Sequence, residues 1–135
     1  MDNRYDLTVR IAVVGIVDDD PAVRNSLKFS LEIEGFAVGV YANAEELLTE
    51  NDLSRFRCLV IDQHLPGLSG LDLVTKLRER RVAVPVILIT THPSRAVAAR
   101  AEKAAVPIVE KPLLGNALLD EIRSLMASPT PPSAS

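Results

Sequence analysis

The sequence predicts an α/β domain, a five-stranded parallel sheet with helices on both faces. Three observations predict it. Five short apolar runs recur along the chain, each is followed by a segment of helical period, and the runs are continuously apolar rather than alternating. Strands read this way are covered on both sides, and parallel neighbours need right-handed crossovers, which the helical segments supply. At 135 residues and 47% hydrophobic content, the chain can bury one core and is too short for two ordinary ones.

Arg10 to Val17 (RIAVVGIV) is the first strand. Pro21 suits the first position of a helix and Asp20 before it can cap the free amides, so a helix runs from Pro21 to about Glu34. Val23, Leu27 and Leu31 form its inner face, and Gly35 stops it. Phe36 to Tyr41 is the second strand, and Asn43 with Glu46 resembles a capping box for a short helix. Asn51 to Arg57 reads as a loop, and Cys58 to Asp62 (CLVID) as a short buried strand. PGLSG after it is turn chemistry, and Leu71, Val74 and Leu77 mark a third helix ending near Arg81. Pro85 to Thr90 is the fourth strand, Ser94 to Ala105 an alanine-rich helix, and Val106 to Val109 the fifth strand. A last helix opens at Gly115 or Asn116 and runs through Met126, with Leu118, Leu119, Ile122 and Leu125 or Met126 facing inward. Three segments are expected: an extension over 1–8, the folded unit over 9–126, and an uncharged, proline-rich stretch over 127–135 that reads as a disordered tail or linker stump.

Composition narrows the function. A formal net charge of −3 lacks the basic footprint of phosphate-backbone binding, so direct contact with nucleic acid is not expected. The single cysteine, Cys58, allows no intrachain disulfide, and its apolar neighbours suit a core thiol. The amino terminus carries no signal-peptide core, and uncharged stretches such as Val82 to Ser94 fall short of the ~20 residues of a spanning helix. A cytoplasmic protein that neither enters nor crosses a membrane is expected.

Chemistry gathers where the strands end, the edge at which open parallel sheets bind ligands. The first strand ends in Asp18-Asp19-Asp20, the third in Asp62, the fourth in Thr90 and the fifth in Glu110-Lys111-Pro112. Like charges roughly 4 Å apart repel by about 4 kcal/mol at an effective dielectric near 20. Such carboxylates are therefore splayed into water or built around a cation. Oxygen ligands completed by water suit Mg²⁺. Taken singly, each residue has a plainer explanation: Asp20 as a helix cap, Asp62 as the start of a turn, Lys111 as a solvated charge. Their joint arrival at one sheet edge is what points to a site.

IVDDDP, CLVIDQHLPGLSG, ILITT and VEKP, in that order with helical segments between, resemble the receiver domain of bacterial two-component response regulators over residues 9 to 126. VDDDPAVRNSLKFSLEIEGF with IVEKP looks closest to receivers of nitrogen-fixation-type transcription activators. The resemblance implies a flavodoxin-like fold and a phosphoryl acceptor at Asp62, supplied by a sensor histidine kinase. It implies Mg²⁺ held by Asp18, Asp19, Asp62 and the main-chain carbonyl of His64, phosphoryl contacts from Thr90 and Lys111, and a cis bond before Pro112. Such a domain catalyses only its own phosphorylation and dephosphorylation and is not an enzyme in the usual sense. It passes the signal to a protein target or an attached DNA-binding domain, and family habit adds a homodimer through the fourth helix, fifth strand and fifth helix, with Arg95, Arg100, Glu102, Lys103 and Asp120 available for charged pairs.

The sequence departs from that pattern in places. Ile108 stands at the switch position where an aromatic residue is usual, Thr91 replaces a small residue and Ala105 a common glycine. The loop from His92 to Ala96 is about one residue short. His64 and His92 each follow a key residue by two positions, and are candidates for setting the lifetime of the phosphoryl group. Two other functional classes compete: a receiver-like module that works without phosphorylation, and a haloacid-dehalogenase-type phosphatase using Asp18 as nucleophile and Asp20 as acid or base.

Overall fold

The computed structural model describes residues 12–113 and 115–127. Five strands, β1 (Val13–Val17), β2 (Ala37–Tyr41), β3 (Cys58–Asp62), β4 (Val86–Thr90) and β5 (Ile108–Glu110), form one parallel sheet in the order β2-β1-β3-β4-β5. Helices α1 (Pro21–Ile33), α2 (Ala44–Leu48), α3 (Gly70–Glu79), α4 (Arg95–Lys103) and α5 (Ala117–Ala127) alternate with them. Arg10, which begins the predicted first strand, the expected extension over 1–8 and residues 128–135 of the expected tail lie outside the described residues.

Strand side chains alternate between two apolar layers. Val14, Ile16, Cys58, Val60, Ile87 and Ile89 pack with Leu27 and Leu31 of α1 and Leu118 and Ile122 of α5. Val17, Leu59, Ile61, Val86 and Leu88 pack on the other face with Ala44 and Leu47 of α2, Leu73 and Leu77 of α3 and Ala101 of α4. The near-continuous apolar reading of the strands has its cause in this double coverage. The strand order reverses between β1 and β3, so the crevice of an open α/β sheet lies beyond their carboxyl ends.

The helix signals hold in detail. Asp20 caps α1 by accepting from the Ala22 N–H at 2.9 Å, and Gly35 takes the left-handed conformation with φ of 100°. Asn43 caps α2 through the Glu46 N–H at 2.9 Å, but Glu46 reaches back to the N–H of Ala42 rather than to that of Asn43. Ser94 caps α4 through Val97. Ala105, standing where glycine is common, adopts φ of 59°, so α4 ends at Lys103 and not at the expected Ala105.

Three further expectations need correction. The fifth strand spans Ile108–Glu110, not Val106 to Val109; Pro107 has no N–H for the ladder, and only its carbonyl takes part, accepting from Leu88. The predicted loop Asn51 to Arg57 contains a 3₁₀ turn, Leu53–Arg55, capped by Asp52. Leu53 and Phe56, three residues apart, are both buried there, which tightens the segment onto the core. Ala127, assigned to the tail, closes α5.

Gly70 opens α3 under the end of β3. A Cβ at this position would lie 2.6 Å from the Asp62 carbonyl oxygen and 2.9 Å from both Gln63 Cα and Leu88 Cδ1. Two of those atoms are backbone and cannot swing away. Replacing Gly70 by alanine is expected to lower the unfolding free energy by about 1–3 kcal/mol, measured by urea denaturation, because α3 must retreat from the strand that carries Asp62.

Candidate functional site

Asp18, which follows β1 directly, is fully buried. Its N–H continues the sheet by donating to the Tyr41 carbonyl at 3.1 Å, and its Oδ1 accepts from the Asp20 N–H at 2.9 Å. Oδ2 lies 3.1 Å from the Lys111 ammonium. The contact is an ion pair, and Oδ2 is buried with no hydrogen bond among the described residues. Asp62 closes β3 one strand away: its Oδ1 accepts from the His64 N–H at 3.0 Å and its Oδ2 from Lys111 Nζ at 3.1 Å. One amine, carried in from the end of β5, therefore touches two carboxylates from two different strands.

Asp19 is exposed, yet one carboxylate oxygen from each of Asp18, Asp19 and Asp62 can be chosen so that all three lie within 4.8 Å of one another. Burial raises the pKa of Asp18, and the nearby charge of Asp62 adds to this, while the Asp20 N–H and Lys111 pull the other way. Burial works against the charge of Lys111, but its contacts with Asp18 and Asp62 outweigh that and its pKa is raised. If all are ionised, the three carboxylates exceed the one ammonium by two charges. A hard dication with oxygen ligands matches both the excess and the donor type.

Thr90 is 1% exposed, and its Oγ1 has no hydrogen-bond partner. The N–H of Lys111 donates to the Thr90 carbonyl at 2.8 Å, which ties the end of β4 to the lysine. The Lys111–Pro112 bond is cis, as expected. Ile108 is half-buried and packs against the layer of α2, α3 and α4. The side chains of His64 and His92 are exposed, and His92 holds a left-handed backbone with φ of 48°. Thr91 is exposed as well. Asp20 points its carboxylate into its own helix as a cap.

Three contributors were not singled out from the sequence. Gln63 locks β3 to α3: its carbonyl accepts from Gly70 at 3.0 Å and its buried Oε1 from Leu71 at 2.9 Å. Gly70 permits that approach, and the Ser-Gly pair just ahead of an apolar helix was the readable sign of it. Arg24 sends Nη1 to the main-chain carbonyl of Asp18 at 2.7 Å. Its place one helical turn after the acidic run was the only available signal.

The family model described as the response regulator receiver domain matches residues 14–123. This chain belongs to the response regulator receiver family. Nodulation protein W of Bradyrhizobium diazoefficiens is 38% identical over 112 residues, which are 82% of this chain and 49% of that protein. The transcriptional regulatory protein FixJ of Rhizobium meliloti is 38% identical over 110 residues, 81% of this chain and 54% of that one. The receiver thus spans about half the length of these regulators. Among solved structures, FixJ-N covers 90% of this chain and 98% of its own at 32% identity and a TM-score of 0.77. The chemotaxis protein CheY4 of Vibrio cholerae, at 23% identity, 85% coverage of this chain and 98% of its own, shares the fold with a TM-score of 0.78. With the family assigned, the phosphatase alternative built on Asp18 and Asp20 is superseded. No helix among the described residues of the receiver is long and apolar enough to cross a membrane.

The buried Asp18 charge yields a prediction. A carboxyl whose folded pKa lies above its unfolded value gives stability that is complete below the unfolded pKa and is lost as pH rises through the folded one. Near neutral pH the ionised group therefore opposes folding. Asp18→Asn is expected to raise the unfolding free energy near neutral pH in thermal melts without divalent cations, and to remove the loss of stability that wild type shows as pH rises through the folded pKa of Asp18. The same substitution should weaken the stabilising response to added Mg²⁺.

Proposed function

We propose that this receiver accepts a phosphoryl group on Asp62 from the phosphohistidine of a sensor histidine kinase, in a reaction that requires Mg²⁺, and signals by a shift in conformation. The observation that carries this reading is the unbalanced charge at the sheet edge, where three carboxylates can meet within 4.8 Å and share the one ammonium of Lys111. Asp19 and Asp62 would hold the ion directly, Asp18 would assist through water, and the main-chain carbonyl of His64 would complete the protein's share. When bound, the ion supplies positive field for the oxygens of the transferred group.

The chain's own residues account for the rest. A carboxylate oxygen of Asp62 attacks phosphorus; the P–O bond forms as the P–N bond to the donor imidazole breaks, and the departing nitrogen takes a proton from water. Lys111 and the unpartnered hydroxyl of Thr90 donate to the phosphoryl oxygens, which is the alignment and neutralisation that such transfer chiefly needs. Hydrolysis of the aspartyl phosphate returns the domain to its starting form, so it modifies only itself and does not act as an enzyme on other substrates. His64 and His92, exposed on two loops of this edge, set how readily water reaches the phosphoryl group.

Output follows from a two-state equilibrium in which the dianionic group draws Thr90 inward and rearranges α4 and β5, with Ile108 adjusting its place against the core. The matched segment makes up about half of the related regulators, which supports an output domain or separate protein target, reached in the cytoplasm without nucleic-acid contact by the receiver expected over 9–126. A homodimer through α4, β5 and α5 would use Arg95, Glu102, Lys103 and Asp120. Arg100 is already engaged with Asp72 at 2.9 Å and Thr75 at 3.1 Å on α3.

Incubation with acetyl phosphate or phosphoramidate and Mg²⁺ should raise the intact mass by one phosphoryl group. Asp62→Asn should abolish the increment and chelation of the metal should suppress it. A wild-type mass that never rises would instead support the phosphorylation-independent interaction module. In the labelled protein, His64→Ala and His92→Ala should each change the decay rate of the aspartyl phosphate severalfold; unchanged lifetimes would assign the two histidines no part in it.

A further inference from the structure

The geometry points to Arg24 as a positioning residue that aims the Asp18–Asp19 pair at the cation; the inference rests on the metal site proposed above. Asp18 presents four polar groups, and three are fixed. Its N–H donates to Tyr41 O at 3.1 Å, its Oδ1 accepts from Asp20 N at 2.9 Å, and its carbonyl accepts from Arg24 Nη1 at 2.7 Å. The fourth, Oδ2, is buried, makes no hydrogen bond and has only the ionic contact with Lys111 at 3.1 Å. The first three bonds therefore decide where the fourth group faces.

The arginine bond reaches further than Asp18. The carbonyl of residue 18 and the N–H of residue 19 belong to one rigid peptide plane, so holding that carbonyl fixes the direction in which Asp19 leaves the chain. Asp19 needs this from its backbone, since its exposed carboxylate has no hydrogen bond among the described residues. Arg24 is suited to the task because its own N–H donates to the Asp20 carbonyl at 3.0 Å. Side chain and main chain of one residue thus grip both ends of the acidic turn, and α1 becomes the frame against which the turn is set. A short bond from a charged donor is among the stronger kinds of hydrogen bond.

The sign of the effect separates this role from simple electrostatics. A guanidinium beside a dication site is a like charge, and if that were its whole influence, removing it would tighten Mg²⁺ binding. If it orients the ligands, removing it must weaken binding. Outer partners of metal ligands typically contribute about 10–100-fold in affinity.

The test is a titration of wild-type, Arg24→Met and Arg24→Lys proteins with MgCl₂, followed by backbone amide chemical shifts, with urea unfolding run in parallel. Methionine keeps the length of the stem without charge or donors, and is expected to weaken Mg²⁺ binding by about tenfold or more. Lysine, with the charge but not the planar fork, should fall between. Lys28→Met removes a cation from the same helix, where Lys28 pairs with Glu32, and should leave the affinity unchanged. Affinity in Arg24→Met equal to or tighter than wild type, or an equal loss in Lys28→Met, would overturn the role given to Arg24. Wild-type protein whose amides never respond to Mg²⁺ would overturn the metal site itself, and the inference with it. Should Arg24→Met unfold too easily to titrate, Arg24→Gln takes its place, since it lacks the charge and is too short to keep the bond to the Asp18 carbonyl: wild-type or tighter affinity there would overturn the role, and weaker affinity would support it.

Discussion

The arrangement at the sheet edge depends on one amine. Lys111 lies 3.1 Å from Oδ2 of Asp18 and 3.1 Å from Oδ2 of Asp62, bridging two carboxylates that would otherwise repel across the gap between β1 and β3. Buried like charges need a counter-ion or they change protonation state. The molecule provides one positive charge where two carboxylates converge and a third stands beside them, so it is under-neutralised by construction. That deficit is what the proposed divalent ion and phosphoryl group would act on, altering the same local charge in opposite directions.

The remainder of the fold serves this placement. Two apolar layers clamp the sheet so that the ends of β1 and β3 cannot shift sideways, and the order β2-β1-β3-β4-β5 puts those two strands at the point of reversal. Gln63 and Gly70 then bring α3 hard against the end of β3, while Asp20 and Arg24 set the start of α1 against the end of β1. The ends of β1 and β3 are thus each held against the first turn of the helix that follows.

Much of this was legible in the sequence because the signals were local. Apolar runs gave β3 with its exact ends, and proline, glycine and the capping residues gave the start of α1 and of α2. Strand-end chemistry identified Asp18, Asp62, Thr90 and Lys111 as neighbours because the topology of open parallel sheets sends strand ends to one edge. What was not legible were contacts that depend on approach between elements. The reach of Arg24 to a carbonyl, the seat of Gly70 against backbone and the pairing of Arg100 with Asp72 leave no trace in periodicity or composition. The fifth strand was begun two residues early because Val106 is apolar and buried and so passes for a strand residue, although Pro107 beside it cannot complete the ladder.

The three groups that meet at the site do not stand on equally firm ground. Asp18 and Asp62 are borne by strands flanked on both sides, whereas Lys111 hangs from a three-residue strand with a single neighbour, at the margin of the sheet. The acids form a fixed jaw and the amine a sprung one. Under the proposed phosphorylation, a redistribution of charge between them would be relieved chiefly at the margin, and the flank of the domain bearing β5 and its adjoining helices would be the surface on which that event is read from outside.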